Sequence, residues 1–254
     1  MQPTQPAQPT QPMQALKIAY LFPDLLNLYG DGGNVTCLRK RCEWRAIPVE
    51  VVMVRHGEHI DFSQVDIVFL GGGPDREQRL AAEELLRMKE GLRAYVEDDG
   101  VLLAICGGYQ LLGTQWLLGN ESVEGLGIID MLTRPGGADR LIDNIVVETT
   151  VCKSPVVGYE NHAGRTVLGA GMVPFGKVVS KTGHGNNDES GCDGVLYRNL
   201  IGSYLHGPLL GKNPEVADYL LKRALEKRQG APVTLAALDD AVEAAANAFV
   251  CEHC

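Results

Sequence analysis

Two apolar runs, L-K-I-A-Y-L-F at 16–22 and V-E-V-V-M-V at 49–54, frame a stretch whose apolar positions recur at helical intervals, N-V-T-C-L-R-K-R-C-E-W-R-A at 34–46. The spacing predicts strand, helix, strand, with Asn34 as the helix N-cap. D-I-V-F-L at 66–70 is a third strand, ending in G-G-G-P. The Glu-, Leu-, Arg- and Ala-rich segment 78–98 is a helix, and V-L-L-A-I at 101–105 is a fourth strand. These strands are continuously apolar and do not alternate, as expected of parallel strands covered on both faces. After Gly119 the pattern changes to short segments broken by glycine: I-V-V-E-T-T-V, V-V-G-Y, K-V-V-S, G-V-L-Y and L-I-G-S-Y-L. They are expected to be antiparallel strands that continue the sheet or pack against it. Helices over 214–228 and 235–249 close the chain, and no internal repeat is present. The expected fold is α/β, a doubly wound, mostly parallel sheet with flanking helices and added antiparallel strands, in one domain spanning 15–250.

Composition narrows the classes. With 254 residues, 45% of them hydrophobic, the chain can bury a sizeable core. A net charge of -9 argues against nucleic acid as a partner. The local cluster Arg39, Lys40, Arg41 and Arg45 is expected to be a solvated helix face. No run approaches the roughly 20 apolar residues that span a bilayer. The Pro/Gln/Thr-rich segment 1–14 cannot build a core and has neither a charged n-region nor an apolar h-region, so a disordered tail and a cytoplasmic protein are expected. The seven scattered cysteines are expected to be free thiols. The terminal C-E-H-C at 251–254 is half a metal site at best, and a frayed, metal-free tail is expected there.

The candidate chemistry centres on V-L-L-A-I-C-G-G-Y-Q-L-L-G at 101–113. Ligands of open α/β sheets bind outside the carboxyl ends of the strands, where Cys106 sits. A nucleophile on a sharp strand-to-helix turn needs small neighbours two residues to either side, and Ala104 and Gly108 meet that need. The ordinary alternative is a packing cysteine in a βα turn. Two further features converge. The G-G-G-P loop lets backbone N–H groups approach a ligand; it lacks the G-K-[ST] ending of a Walker A loop, so it does not indicate nucleotide binding. L-I-G-S-Y-L-H-G-P places His206 at another strand end, as a base for the thiol. Of the other histidines only His162, in Y-E-N-H-A-G-R, competes, and it ends an apolar strand less clearly.

Together, the G-G-G-P loop, the strand–Cys–Gly–Gly elbow and the later strand–His resemble a class I glutamine amidotransferase of the cobyric acid synthase-like branch, a flavodoxin-like fold. L-L-N-L-Y-G-D-G-G-N-V, Y-E-N-H-A-G-R-T-V-L and Y-L-H-G-P-L-L-G-K-N-P-E-V-A-D are similar to the amidotransferase subunits of lipid II isoglutaminyl synthases. The resemblance implies that Cys106 and His206 are catalytic, with Gly107 and Gly73 donating amides to the oxyanion. It also implies that Arg140 binds the carboxylate of L-glutamine, a role suited to a bidentate guanidinium. Asn161 and His162 are weaker family marks for the pocket wall, and Asp31 for a turn or a partner interface. Most class I domains have a glutamate two residues after the histidine; Pro208 stands there, so the group orienting His206 is unassigned and a partner could supply it. The implied partner is a separate Mur-ligase-like (MurT-type) synthase subunit forming a heterodimer, carrying ATP and magnesium, with no cofactor in this chain. The implied product is D-isoglutamine in the peptidoglycan stem peptide. Rival readings are a corrinoid amidotransferase, a stand-alone cysteine hydrolase, and a non-catalytic module in which Cys106 only packs.

Overall fold

The computed structural model describes residues 14–118, 121–137 and 139–254. The strands run β1 (Leu16–Leu21), β2 (Val49–Val54), β3 (Ile67–Leu70), β4 (Val101–Ile105), β5 (Gln115–Leu118), β6 (Glu121–Glu124), β7 (Met131–Pro135), β8 (Leu141–Thr149), β9 (Val156–His162), β10 (Gly164–Leu168), β11 (Gly176–Val178), β12 (Cys192–Asp193), β13 (Val195–Tyr197) and β14 (Leu200–Ser203). The helices are α1 (Gly32–Glu43), α2 (Asp75–Arg87), α3 (Lys89–Glu97), α4 (Gly107–Leu111), α5 (Pro214–Gln229) and α6 (Ala241–His253).

The main sheet has six strands in the order β13-β14-β4-β3-β1-β2, parallel except for the edge strand β13. Its central strands β3 and β4 are buried at every residue, which is why they read as unbroken apolar runs. One expectation is corrected in part, with consequences for the site: L-I-G-S pairs antiparallel with β13 on one side, as expected, but on the other it lies parallel to β4, Leu200 opposite Leu102 through Ser203 opposite Ile105. The polarity pattern cannot distinguish these directions, because a strand buried on both faces reads the same either way. The other strands form two separate four-stranded sheets, β10-β7-β5-β6 and β12-β11-β8-β9.

Several boundaries shift for identifiable reasons. Asn34 is not the N-cap: α1 begins at Gly32, and the Asn34 amide donates to the Asp31 carbonyl while its oxygen accepts the Leu210 N–H. The 78–98 helix is two helices, separated at Met88, which is buried. The last helix starts at Ala241 instead of 235 and continues through Cys251–His253, so the end of the chain is helical and not frayed. Its start is delayed because 233–240 is laid across α1, with Ala236 accepting from Arg45 and Asp240 from Arg41.

The basic cluster is not simply a solvated face. Arg41 is 1% exposed, so its charge must be matched inside the fold. It holds Asp218 through Nε and Nη2 (2.7 and 2.9 Å) and Asp240 through Nη1 (2.6 Å), while Arg45 holds Asp218 at 2.6 Å. These pairs tie α1 to α5 and to the start of α6. All seven cysteines are free thiols. Among the described residues no three His, Cys, Asp or Glu side chains are grouped to hold a metal ion, and no helix is long and apolar enough to cross a membrane. The segment 1–13 lies outside the described residues.

Candidate active site

Because β4 and β14 are parallel neighbours, Cys106 and His206 leave the sheet at the same edge; the Cys106 N–H still donates to the Ser203 carbonyl (2.8 Å). Cys106 then turns sharply, at φ 49° and ψ −106°, a conformation that side-chain-bearing residues rarely adopt. The turn is held by Gly108, whose N–H bonds Gly71 O at 3.1 Å. A Cβ on Gly108 would lie 2.7 Å from that same oxygen, so only glycine permits the approach. The G-G-G-P loop and the elbow are thus one unit.

His206 is wholly buried. Its Nδ1 donates to Asp31 Oδ1 at 3.0 Å, and Asp31, also wholly buried, accepts the Gly72 N–H on Oδ2 at 2.8 Å. A carboxylate of this chain thus stands beside His206, where the sequence leaves the orienting group unassigned. Pro208 does not replace it. Its ring packs on the first turn of α1, where a Cβ on Gly33 would fall 2.2 Å from Pro208 Cγ, and this contact seats Asp31 beside the imidazole. Burial alone would lower the His206 pKa, but the neighbouring Cys106 side chain and Asp31 outweigh it and push it up to about 10. The ring is therefore an imidazolium at neutral pH. Nε2 is buried with no hydrogen-bond partner, free to exchange a proton with a reacting group. The Tyr29 ring meets the imidazole edge-on, with centroids 5.0 Å apart.

Cys106 borders a cavity of about 270 Å³ whose lining includes Gly73, Asp75, Gln78, Arg140 and His162. Gly73, in its lining, lies against Gly107: a Cβ on Gly107 would come within 3.3 Å of the Gly73 nitrogen. The Gly107 N–H is at the first position of α4 and so has no carbonyl within that helix to bond. Arg140 is braced by Asn161, Nε to Oδ1 at 2.8 Å and Nη2 to the carbonyl at 2.9 Å, so one edge of the guanidinium remains for a ligand. The structure thus brings together Cys106, His206, Gly73, Gly107 and Arg140. His162 lines the same cavity but is committed elsewhere: it stacks on Tyr204 at 3.6 Å, and its nitrogens face Gly164 O (2.8 Å) and Glu160 (3.4 Å).

The sequence does not show the roles of three site residues, Asp31, Gln78 and Gln110. Asp31 is 175 positions from its partner. Gln78 and Gln110 pair through their side-chain amides at 2.8 Å, and Gln78 also donates to the Gly107 carbonyl at 3.3 Å, holding the elbow from the α2 side. Both glutamines lie in stretches that read only as helix. Their one visible signal is a polar residue on a face otherwise apolar.

Crowding at the centre gives a direct test. A Cβ on Gly72 would stand 3.1 Å from Cys106 Cβ, 3.3 Å from His206 Cε1 and 3.4 Å from Asp31 Oδ2. Gly72→Ala is expected to slow iodoacetamide alkylation of Cys106, followed by peptide mass spectrometry, by about tenfold while the melting temperature changes little, since small displacements of a reacting pair are costly. An unchanged alkylation rate would mean that the three side chains do not meet at this point.

Residues 17–214 match the family model described as the CobB/CobQ-like glutamine amidotransferase domain. The chain is 45% identical over 230 residues to the lipid II isoglutaminyl synthase (glutamine-hydrolyzing) subunit GatD of Staphylococcus aureus, covering 90% of this chain and 91% of that one. It is 40% identical over 226 residues to the subunit of the same name from Streptococcus pneumoniae, covering 89% and 86%. Among solved structures, PurLQS from Thermotoga maritima superposes with a TM-score of 0.56 at 14% identity, over 84% of this chain and 99% of that one, a likeness of fold.

Proposed function

Since the chain belongs to the CobB/CobQ-like glutamine amidotransferase family, we propose that it is the glutamine-hydrolysing subunit of a two-chain lipid II isoglutaminyl synthase, working in the cytoplasm in peptidoglycan synthesis. It is a glutamine-hydrolysing amidotransferase subunit, as its family and its closely similar relatives are. The observation that carries the chemistry is the buried Cys106–His206–Asp31 line opening on a cavity that also holds Arg140.

Arg140 takes the α-carboxylate of L-glutamine and directs the side-chain amide to Cys106. The thiolate attacks the amide carbon, forming a C–S bond as the carbonyl π pair moves onto oxygen. That oxyanion is met by the N–H groups of Gly107 and Gly73. His206 Nε2 gives its proton to the nitrogen as the C–N bond breaks, and ammonia leaves. Water then attacks the glutamyl thioester, passes a proton back to Nε2, and expels the thiolate with release of glutamate. Asp31 holds the ring with Nε2 directed at the reacting atoms and balances the imidazolium.

Ammonia released to water would be lost, so the cavity serves a synthase that activates an acceptor carboxylate. That synthase is a Mur-ligase-type partner with its own ATP and magnesium, and the acceptor is the D-glutamate of the lipid II stem peptide. The test is an assay of the purified chain alone and with that partner. Glutamate release is expected from the chain alone, because its carboxylate is internal, and amidated lipid II is expected only with partner and ATP. Glutamate release without amide transfer to lipid II under any condition would refute the assigned acceptor.

A further inference from the structure

Two of the charged residues lining the cavity beside Cys106, Asp75 and Arg140, are opposite in sign and free to take a ligand; the third titratable group, His162, has both ring nitrogens engaged by Gly164 and Glu160. Arg140 answers a carboxylate. Asp75 is left without a counterpart: it is exposed at the first position of α2, one residue beyond Pro74 and two beyond Gly73, and among the described residues no hydrogen bond or ion pair engages it. An acid at a helix N-terminus has a favourable interaction with the helix dipole, but that would not require it to face the cavity. Two other side-chain acceptors of the lining are engaged. Asn161 Oδ1 accepts from Arg140, and Gln110 Oε1 accepts from Gln78.

A cavity presenting one carboxylate and one guanidinium, with a nucleophile at its floor, suits a zwitterionic head group joined by a short aliphatic chain to an electrophile. Resting on the glutamine-hydrolysing reading above, we propose that Asp75 receives the α-ammonium of L-glutamine while Arg140 receives its α-carboxylate, so that Asp75 selects a free amino acid over an N-acylated glutamine or a plain ω-amide. An N-acylated glutamine has no ammonium to offer, and its amide oxygen would be repelled by Asp75. The residue binds and orients the substrate; it transfers no proton.

The experiment is calorimetric binding to the full chain carrying Cys106→Ala, with L-glutamine and with glutaramate, which keeps the carboxylate and the amide but lacks the ammonium. Adding Asp75→Asn is expected to raise the Kd for L-glutamine by about tenfold or more, as for loss of one charge-assisted hydrogen bond. The Kd for glutaramate is expected to move by less than about twofold, because that ligand never used the carboxylate. Asp75→Glu is expected to recover part of the loss. A merely structural role for Asp75 would weaken both ligands alike, and that result, or no change in either, would overturn the proposal. Failure of the Cys106→Ala chain to bind either ligand would instead remove the glutamine reading on which it rests.

Discussion

Cys106→Ala is expected to reduce glutamate release from L-glutamine by about 10⁴-fold or more while leaving the melting temperature nearly unchanged. The two halves of this expectation have separate causes. Alanine has no lone pair to attack the amide carbon, so the thioester route disappears and only slow direct attack by water remains. The fold survives because alanine bears the same left-handed backbone penalty as cysteine at φ 49°, and because the side chain borders an open cavity, so that its loss empties little packed volume. Cys106→Ser should be nearly as inactive, since a hydroxyl is too weak an acid to stay ionised beside His206. The measurement is coupled detection of glutamate, with L-glutamine binding to the alanine variant as the control for an intact site. Hydrolysis at more than about a tenth of the wild-type rate in either variant would return Cys106 to the role of a packing residue.

What the sequence reveals of this arrangement follows from how local each signal is. The elbow is legible because its parts, strand, cysteine and two glycines, lie within about ten residues and each has a steric reason. His206 is legible because it closes an apolar run, although the parallel direction of that run is not, and direction is what sets it beside Cys106. Arg140 has no local signal at all; without the family resemblance it reads as a surface residue at a strand start. Arg41 reads as solvated for a related reason. A basic residue on a helix looks solvated unless its partners are known, and Asp218 and Asp240 lie 177 and 199 positions further along the chain. Asp31 is the most instructive case. Its segment Y-G-D-G-G-N is a mark of the family resemblance, yet the sequence does not show that Tyr29, at φ 54°, and the glycines let α1 start directly over His206.

Asp31→Asn is expected to lower kcat/KM by about 10²-fold and to move the alkaline limb of its pH profile to lower pH, because it upsets two geometries at once. Asp31 presents one oxygen to the Gly72 N–H and the other to His206 Nδ1. Asparagine has a single oxygen. If that oxygen stays with Gly72, the amide NH₂ faces Nδ1, which must then become an acceptor; the ring's proton is moved to Nε2, and the imidazolium is disfavoured. If the amide flips, two donors confront each other at Gly72 in a fully buried site. Either way the carboxylate that helps hold the His206 pKa at about 10 is gone. The sign follows: expulsion of ammonia needs the imidazolium, which is lost as pH rises through that pKa, so lowering it brings the loss to lower pH. The same linkage acts on folding. A histidine raised from 6.5 to about 10 on folding contributes stability that is complete below about pH 6.5 and is lost as pH rises through 10. The wild type should therefore lose denaturant resistance between those limits more steeply than Asp31→Asn. A variant with wild-type rate, pH profile and stability slope would mean that Asp31 only seats α1, and that the imidazole is oriented by something outside this chain.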